Sequence, residues 1–317
     1  MPALLPMTSR FACPFFAIAT LFALGLDVHA AEESAEARAA RTAANRAWSQ
    51  ALPTLPAPVL THHGLTATEL KRWPVRGANQ GVAVDREHMY GIGNFVIVKH
   101  RKDTGERVAE RIGLKGGPLV HLNGGYVSEG KLILAHSNFP QLPMTSSLET
   151  FDIATLAPVA TLSLGIRLGS LTWAERREGF WWACFANYND QGSTPGFDNR
   201  WTYFGKFDDK WQMIESWVFP PQVVAAWGKS SSSGGSWGDD GLLYVTGHDE
   251  AEMYVLRLPR AGVALDYITT IKVPIEGQSW AWDRTAPGER IVYGISRARH
   301  EIIVARIPAV PAGLLTR

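Results

Sequence analysis

The sequence of 317 residues is poor in cysteine, with 2, and has almost no net charge, 31 Lys and Arg standing against 30 Asp and Glu. Two cysteines cannot staple a small disulfide fold, and a balanced charge leaves no basic footprint for a phosphate backbone or an anionic leaflet. No nucleic-acid partner is therefore expected. The 30 Gly and 19 Pro follow no collagen-like period, and a hydrophobic content of 46% excludes a disordered chain. Neither an H-E-x-x-H nor a C-x-x-C spacing occurs, so no contiguous metal motif announces a reaction.

Long hydrophobic runs are also scarce. The one near the N-terminus, Phe11 to Leu26, is apolar apart from Thr20 and too short for a bilayer span. It follows the basic Arg10 and precedes Val28-His29-Ala30, a small-x-small cleavage site. This predicts a signal peptide over residues 1–30, a periplasmic or secreted protein, and no stable membrane insertion after cleavage. Cys184 then stands alone in an apolar stretch and reads as a core residue. Glu32 to Leu52 is rich in Ala, Glu and Arg without Gly or Pro, which predicts a short helix, and Pro53, Pro56 and Pro58 end it. Residues 31–61 are thus a helix and Pro-rich linker, residues 62–310 the main domain and residues 311–317 a tail.

Within the main domain one pattern recurs five times. Gln80-Gly-Val-Ala-Val-Asp85, Asn123-Gly-Gly-Tyr-Val-Ser128, Ser170-Leu-Thr-Trp-Ala-Glu175, Ser233-Gly-Gly-Ser-Trp-Gly238 and Gln278-Ser-Trp-Ala-Trp-Asp283 begin at intervals of 43, 47, 63 and 45 residues. Each leads through a turn to a second apolar run, then to a third strand, and in four units to a fourth. The last unit lacks its fourth strand, and a spare strand, Thr66 to Val75, stands before the first. Four short strands per repeat of this length predict an all-β, five-bladed β-propeller whose last blade is completed by the N-terminal strand. A six-bladed ring, with a degenerate blade inside the interval of 63, is the alternative. The Trp residues after position 170 are expected as wedges between blades.

In such a ring the starts of first strands and the ends of second strands meet at one mouth of the central channel. That brings Gln80, Asn94, Asn123, Asn138, Asn187, Tyr188, Gln278 and Arg297 together as substrate-binding candidates, with His121, His136, His248 and Asp249 as candidate acid/base groups. A divalent metal on His121, His136, His248 and Glu250 is a second reading of the same residues. Arg297 offers a planar cation to an anionic ligand. The loops Phe139 to Ser146 and Asn189 to Arg200 lie on this face, the second being a candidate lid. The other face, with Asp85 to His88, Glu175 to Gly179, Asp239 to Gly241 and Asp283 to Arg290, reads as plain turns.

His121-Leu-Asn-Gly-Gly125, His136-Ser-Asn138 and Gly247-His-Asp-Glu250 resemble segments of exported bacterial propellers of the cycloisomerase-like and YVTN/NHL-like kind, a likeness that spans about residues 66 to 308. It implies the fold strongly and leaves the activity open. Gln80-Gly81 with Asp103-Thr-Gly105 also looks like the first blade of the five-bladed glutaminyl cyclases, but Met89-Tyr-Gly-Ile-Gly93 lacks the glutamate that family uses to carry protons. Gluconolactonase-type propellers hold a divalent metal with Glu, Asn and Asp, and Asn123 and Asn187 match in kind. The function expected is action on a small polar or sugar-derived substrate, anionic forms included, as hydrolase, lyase or isomerase. A binding scaffold for a ligand or protein partner is the alternative.

Overall fold

The computed structural model describes residues 34–51 and 56–316. The expected signal peptide lies outside the described residues. Two compact units divide the chain, Met1–Ala57 and Pro58–Arg317. In the first, helix α1 (Ala35–Ala51) draws on its Ala-rich composition and begins where the Ser34 hydroxyl accepts the Ala37 N–H at 3.1 Å. Among the described residues no helix is long and apolar enough to cross a membrane.

The second unit opens with β1 (Thr68–Pro74). Blade I is β2 (Gly81–Val84), β3 (His88–Gly93), β4 (Val96–Arg101) and β5 (Arg107–Ile112). Blade II is β6 (His121–Ser128), β7 (Lys131–Ser137), β8 (Thr145–Asp152) and β9 (Pro158–Ile166). Blade III is β10 (Ser170–Arg177), β11 (Phe180–Ala186), β12 (Tyr203–Phe207) and β13 (Met213–Val218). Blade IV is β14 (Gly234–Trp237), β15 (Leu243–Thr246), β16 (Glu252–Arg257) and β17 (Asp266–Lys272). Blade V is β18 (Ala281–Trp282), β19 (Ile291–Ser296), β20 (Glu301–Arg306) and, from the other end of the chain, β1. Five four-stranded antiparallel sheets therefore form a five-bladed β-propeller.

Ring closure follows the expected pairing. β1 runs antiparallel to β20 from Thr68 opposite Arg306 to Pro74 opposite Glu301. The interval of 63 residues holds no sixth blade: it accommodates the long β11–β12 connection and the short helix α2 (Pro221–Ala226). One difference concerns the inner strand of blade V, which is reduced to Ala281–Trp282. Gln278 has φ of 62°, its N–H donates to Gly247 O in blade IV, and the Ser279 N–H donates to Gln80 O in blade I. Residues 277–279 thus bridge neighbouring blades instead of extending their own.

The core is divided among the seams between blades, because each sheet buries both faces against its neighbours. Trp173, Trp182, Trp217, Trp227 and Trp237 pack with Phe204 and Cys184 between blades III and IV, so these tryptophans are wedges as expected. Cys184 is fully buried, which pushes its thiol up to about 12. At the axis the inner strands come into contact: a Cβ on Gly124 would sit 2.2 Å from Ser279 Oγ, and one on Gly81 2.7 Å from Ser279 Cβ. The Gly-Gly steps of the repeat are there because the waist of a small ring has no room for side chains.

Candidate functional site

The pleat decides which candidates reach the mouth. On the β6–β7 hairpin His121 lies opposite Ser137 and Leu122 opposite His136, and directly paired residues share a face. Leu122, Leu132 and Leu134 belong to the blade I–II core, so His136 points into that seam. Both its ring nitrogens are engaged there. Nε2 accepts the Val120 N–H at 3.0 Å, which places the proton on Nδ1, 2.9 Å from Ser147 Oγ. Burial lowers its pKa against the nearby Glu149 carboxylate. His121, on the other face, sits beside Phe139 with ring centroids 5.0 Å apart, and Phe139 in turn lies 4.9 Å from the Tyr188 ring.

Across the mouth, His248 is held from two sides. Its Nδ1 is 2.5 Å from Asp249 Oδ1 and its Nε2 is 3.0 Å from Arg297 Nη1. A guanidinium can only donate, so Nε2 carries a lone pair and Nδ1–H donates to the carboxylate. The adjacent pair is possible because β15 ends at Thr246, leaving residues 247–249 free of strand alternation. Asp249 also accepts the Ser230 hydroxyl at 3.1 Å. Burial raises its pKa, but the bonds from His248 and Ser230 outweigh that and hold it low. Glu276 accepts the Ser296 hydroxyl and the Arg297 N–H, at 2.8 and 3.0 Å, and so positions the start of the Arg297 loop. Burial pushes His121 down to about 4, with the positive charges of His136, His248 and Arg297 adding to it in that order. His121 is therefore neutral at pH 7.

The remaining candidates act mainly on backbone. Asn123 donates to Leu171 O at 3.0 Å, tying blade II to blade III. Asn138 spans its own loop, donating to Pro143 O at 2.9 Å and accepting Thr145 N–H at 2.8 Å. Asn187 is fully buried and donates to Trp201 O at 3.2 Å. Gln278 is 2% exposed and reaches His248 O at 3.4 Å. Gln80 donates to Asn94 at 2.7 Å on the exposed rim. Glu250 is exposed, and its carbonyl accepts the Gly277 N–H. Burial raises the pKa of Tyr188. The candidate lid is pinned down: Asn189 accepts the Asn199 N–H at 2.9 Å, Asn199 donates to Ser230 O at 3.0 Å, and Gly192 lies against the Phe139 ring.

Among the described residues no group of three or more His, Cys, Asp or Glu side chains is placed to hold a metal ion. The reason is geometric. His136 faces a different seam from His121 and His248, while Asn123 and Asn187 spend their amides on carbonyls. The donor set does not fit the metal reading.

The opposite face, read from sequence as plain turns, holds a cavity of about 640 Å³ lined by Tyr126, Glu175, Ser236, Trp282 and Arg284. Glu175 is 14% exposed, and burial raises its pKa against the donors Ser236 Oγ at 2.7 Å and Trp237 N–H at 2.6 Å. Arg284 binds Asp239 at 2.7 Å and Trp237 O at 2.5 Å, and Arg177 donates to Gly238 O at 3.1 Å. These bonds run from blades III and V to blade IV, so the groups are partnered by the ring itself. A carboxylate closing an apolar inner strand, Leu171-Thr-Trp-Ala-Glu175, was the available sequence signal for this seam.

No protein-family model matches the chain, and no curated protein does. Among solved structures, hydrazine synthase of Kuenenia stuttgartiensis is 12% identical over 73% of this chain and 71% of that one, with a TM-score of 0.41. The WD40 repeats of RRP9 are 11% identical over 77% of this chain and 100% of that one, with a TM-score of 0.40. A protein of unknown function from Bacteroides caccae is 13% identical over 74% of each chain, with a TM-score of 0.35. At these identities nothing about a site carries across.

Proposed function

We propose that this is an exported propeller that binds a small organic anion of the sugar-acid type at the channel mouth, and that His248 with Asp249 serves as its base. The observation that carries the reading is Arg297. Among the described residues no carboxylate lies within ion-pairing distance of its guanidinium, and its side chain bonds to the His248 ring at 3.0 Å. A ligand carboxylate would supply the missing counter-charge in a bidentate fork. Turning Arg297 toward the ligand frees the Nε2 lone pair of His248, while Asp249 keeps Nδ1–H and the ring orientation fixed. That is the arrangement of a general base with its orienting carboxylate. Neutral His121 and the Phe139 ring provide a hydrogen-bonding group and an apolar wall beside it. Proton transfer by His248 suits an isomerase, a lyase or a hydrolase, which agrees with the resemblance of Gly247-His-Asp-Glu250 to cycloisomerase-like propellers. A non-catalytic binding module is the second reading, favoured by Trp201, 48% exposed and set edge-to-face against Phe197 at the edge of the long loop.

The test uses D-gluconate, D-glucuronate and their lactones as probes, in calorimetry and in a turnover assay. Arg297→Met should abolish binding of the acids. His248→Asn should keep binding and remove turnover. Undiminished affinity of Arg297→Met for the acids would overturn the reading, and binding without turnover of any probe would favour the module.

A further inference from the structure

His136 is left unused by the mouth, and the seam it faces is open. Toward the outside of the ring, blades I and II part to leave a cleft of about 530 Å³. It stays open because, apart from Phe151, the blade I-facing positions of β8 and β9 carry small polar and acidic residues instead of large apolar ones. Ser147, Glu149 and Thr161 line it. Glu149 is 8% exposed. One carboxylate oxygen accepts the Ser147 hydroxyl at 2.6 Å and the other the Thr161 hydroxyl at 2.7 Å. Among the described residues no Lys or Arg lies within ion-pairing distance of it. His136, 3.8 Å away, is not a counter-ion, since its Nε2 is occupied by the Val120 N–H. A buried carboxylate without a cation is costly.

The same cleft holds the complementary anomaly. The Arg111 guanidinium lies over the Phe151 ring at 5.8 Å, its Nε is buried without a hydrogen-bond partner, and no carboxylate lies within ion-pairing distance among the described residues. Phe151 and Glu149 are two apart on one strand and share a face, a spacing of about 7 Å. One unpaired anion and one unpaired cation therefore line the same cleft, with the Phe151 ring beside the cation. The wall between and beyond them is apolar, with Leu119 partly buried and Leu114 79% exposed at the lip.

We propose that this cleft is a second binding site, independent of the mouth, for a free α-amino acid with an apolar side chain. The ammonium group meets Glu149, the carboxylate meets Arg111, and the side chain lies against Leu114, Leu119 and Phe151. Neither a neutral apolar compound nor a simple anion satisfies both charges.

The experiment is calorimetry on the full chain with L-leucine and L-phenylalanine, beside N-acetyl-L-leucine and L-leucinamide. Each blocked compound should bind about tenfold more weakly, since each loses one charge-assisted contact. Glu149→Gln should weaken leucine by a similar factor and leave N-acetyl-L-leucine where it was, and Arg111→Gln should do the same with L-leucinamide. Equal binding of leucine and its blocked forms by the unaltered protein overturns the proposal, as does no leucine binding at millimolar concentration. Because the blocked ligands probe the unaltered protein, an unstable variant does not remove the test. Loss of leucine binding in Arg297→Met would also overturn the independence of the two sites.

Discussion

Gly124 and His121 show how a single position answers to its surroundings. Gly124 faces Ser279 across the axis, where a methyl group would meet both the serine side chain and the Thr172 carbonyl, at 2.2 and 3.1 Å. Gly124→Ala should destabilise the protein by roughly 1–3 kcal/mol through overpacking, measured by urea unfolding. A neutral outcome would mean the waist yields. His121 gives a pH signature with a definite sign. Unfolded, its imidazole takes up a proton near the ordinary 6.5, whereas folded it holds out to about 4. Protons therefore bind preferentially to the unfolded chain between these values, and lowering the pH through that window costs stability. The contribution is complete above pH 6.5 and is lost as pH falls toward 4. His121→Gln should flatten the fall, and an unchanged slope would assign the titration to other groups. His136, also lowered by burial, adds in the same direction.

The N-terminal strand has the largest consequence among the elements. β1 covers the outer edge of blade V along the whole of β20, and immediately before it the Thr61 carbonyl accepts the Tyr267 hydroxyl at 2.9 Å and the Thr270 N–H at 2.8 Å. Removal of residues 31–57 should leave the melting temperature unchanged, since the propeller unit begins at Pro58. Deletion through Pro74 should prevent folding, because it opens a sheet edge and uncovers the Ile302 and Val304 layer. Circular dichroism melts of the two deletions check this, and a cooperative transition in the longer one would count against closure by β1. Most of the element order was legible from the 2-residue alternation and the turn residues. The short inner strand of blade V was not, since Gln278-Ser-Trp-Ala-Trp reads as a full strand and loses its pairing only to carbonyls in blades I and IV.

At the scale of the molecule, the ring is fastened by polar ties as well as apolar seams. Lys102 of blade I binds Asp283 of blade V at 2.6 Å, with side chains 14% and 8% exposed, where first and last blades meet. Lys102→Met leaves Asp283 charged and unpaired in a poorly solvated place and should cost about 3–5 kcal/mol. Adding Asp283→Leu should recover much of that in thermal melts, because the pair matters chiefly through the penalty of breaking it. Failure of the second substitution to restore stability would show that Asp283 works through its bond to Thr285, 2.6 Å away. The two proposed sites divide along the same ring: the mouth joins blades II, III, IV and V, and the outer cleft lies between blades I and II.

Repeat length, the missing last strand and the spare first strand were properties of the chain alone. They sufficed for the five blades and their closure, because strand alternation and loop length are local and nearly independent of what packs beyond. His121, His248, Asp249 and Arg297 were likewise legible as strand-end residues of one mouth. The tertiary structure alone decided that His136 turns its ring into the blade I–II seam, that Glu175 and Arg284 partner within the ring, and that Glu149 and Arg111 lack counter-charges. Each of these depends on which residues of a neighbouring blade lie opposite. Such contacts join positions far apart in sequence, on faces set by register and twist, and no local pattern encodes them.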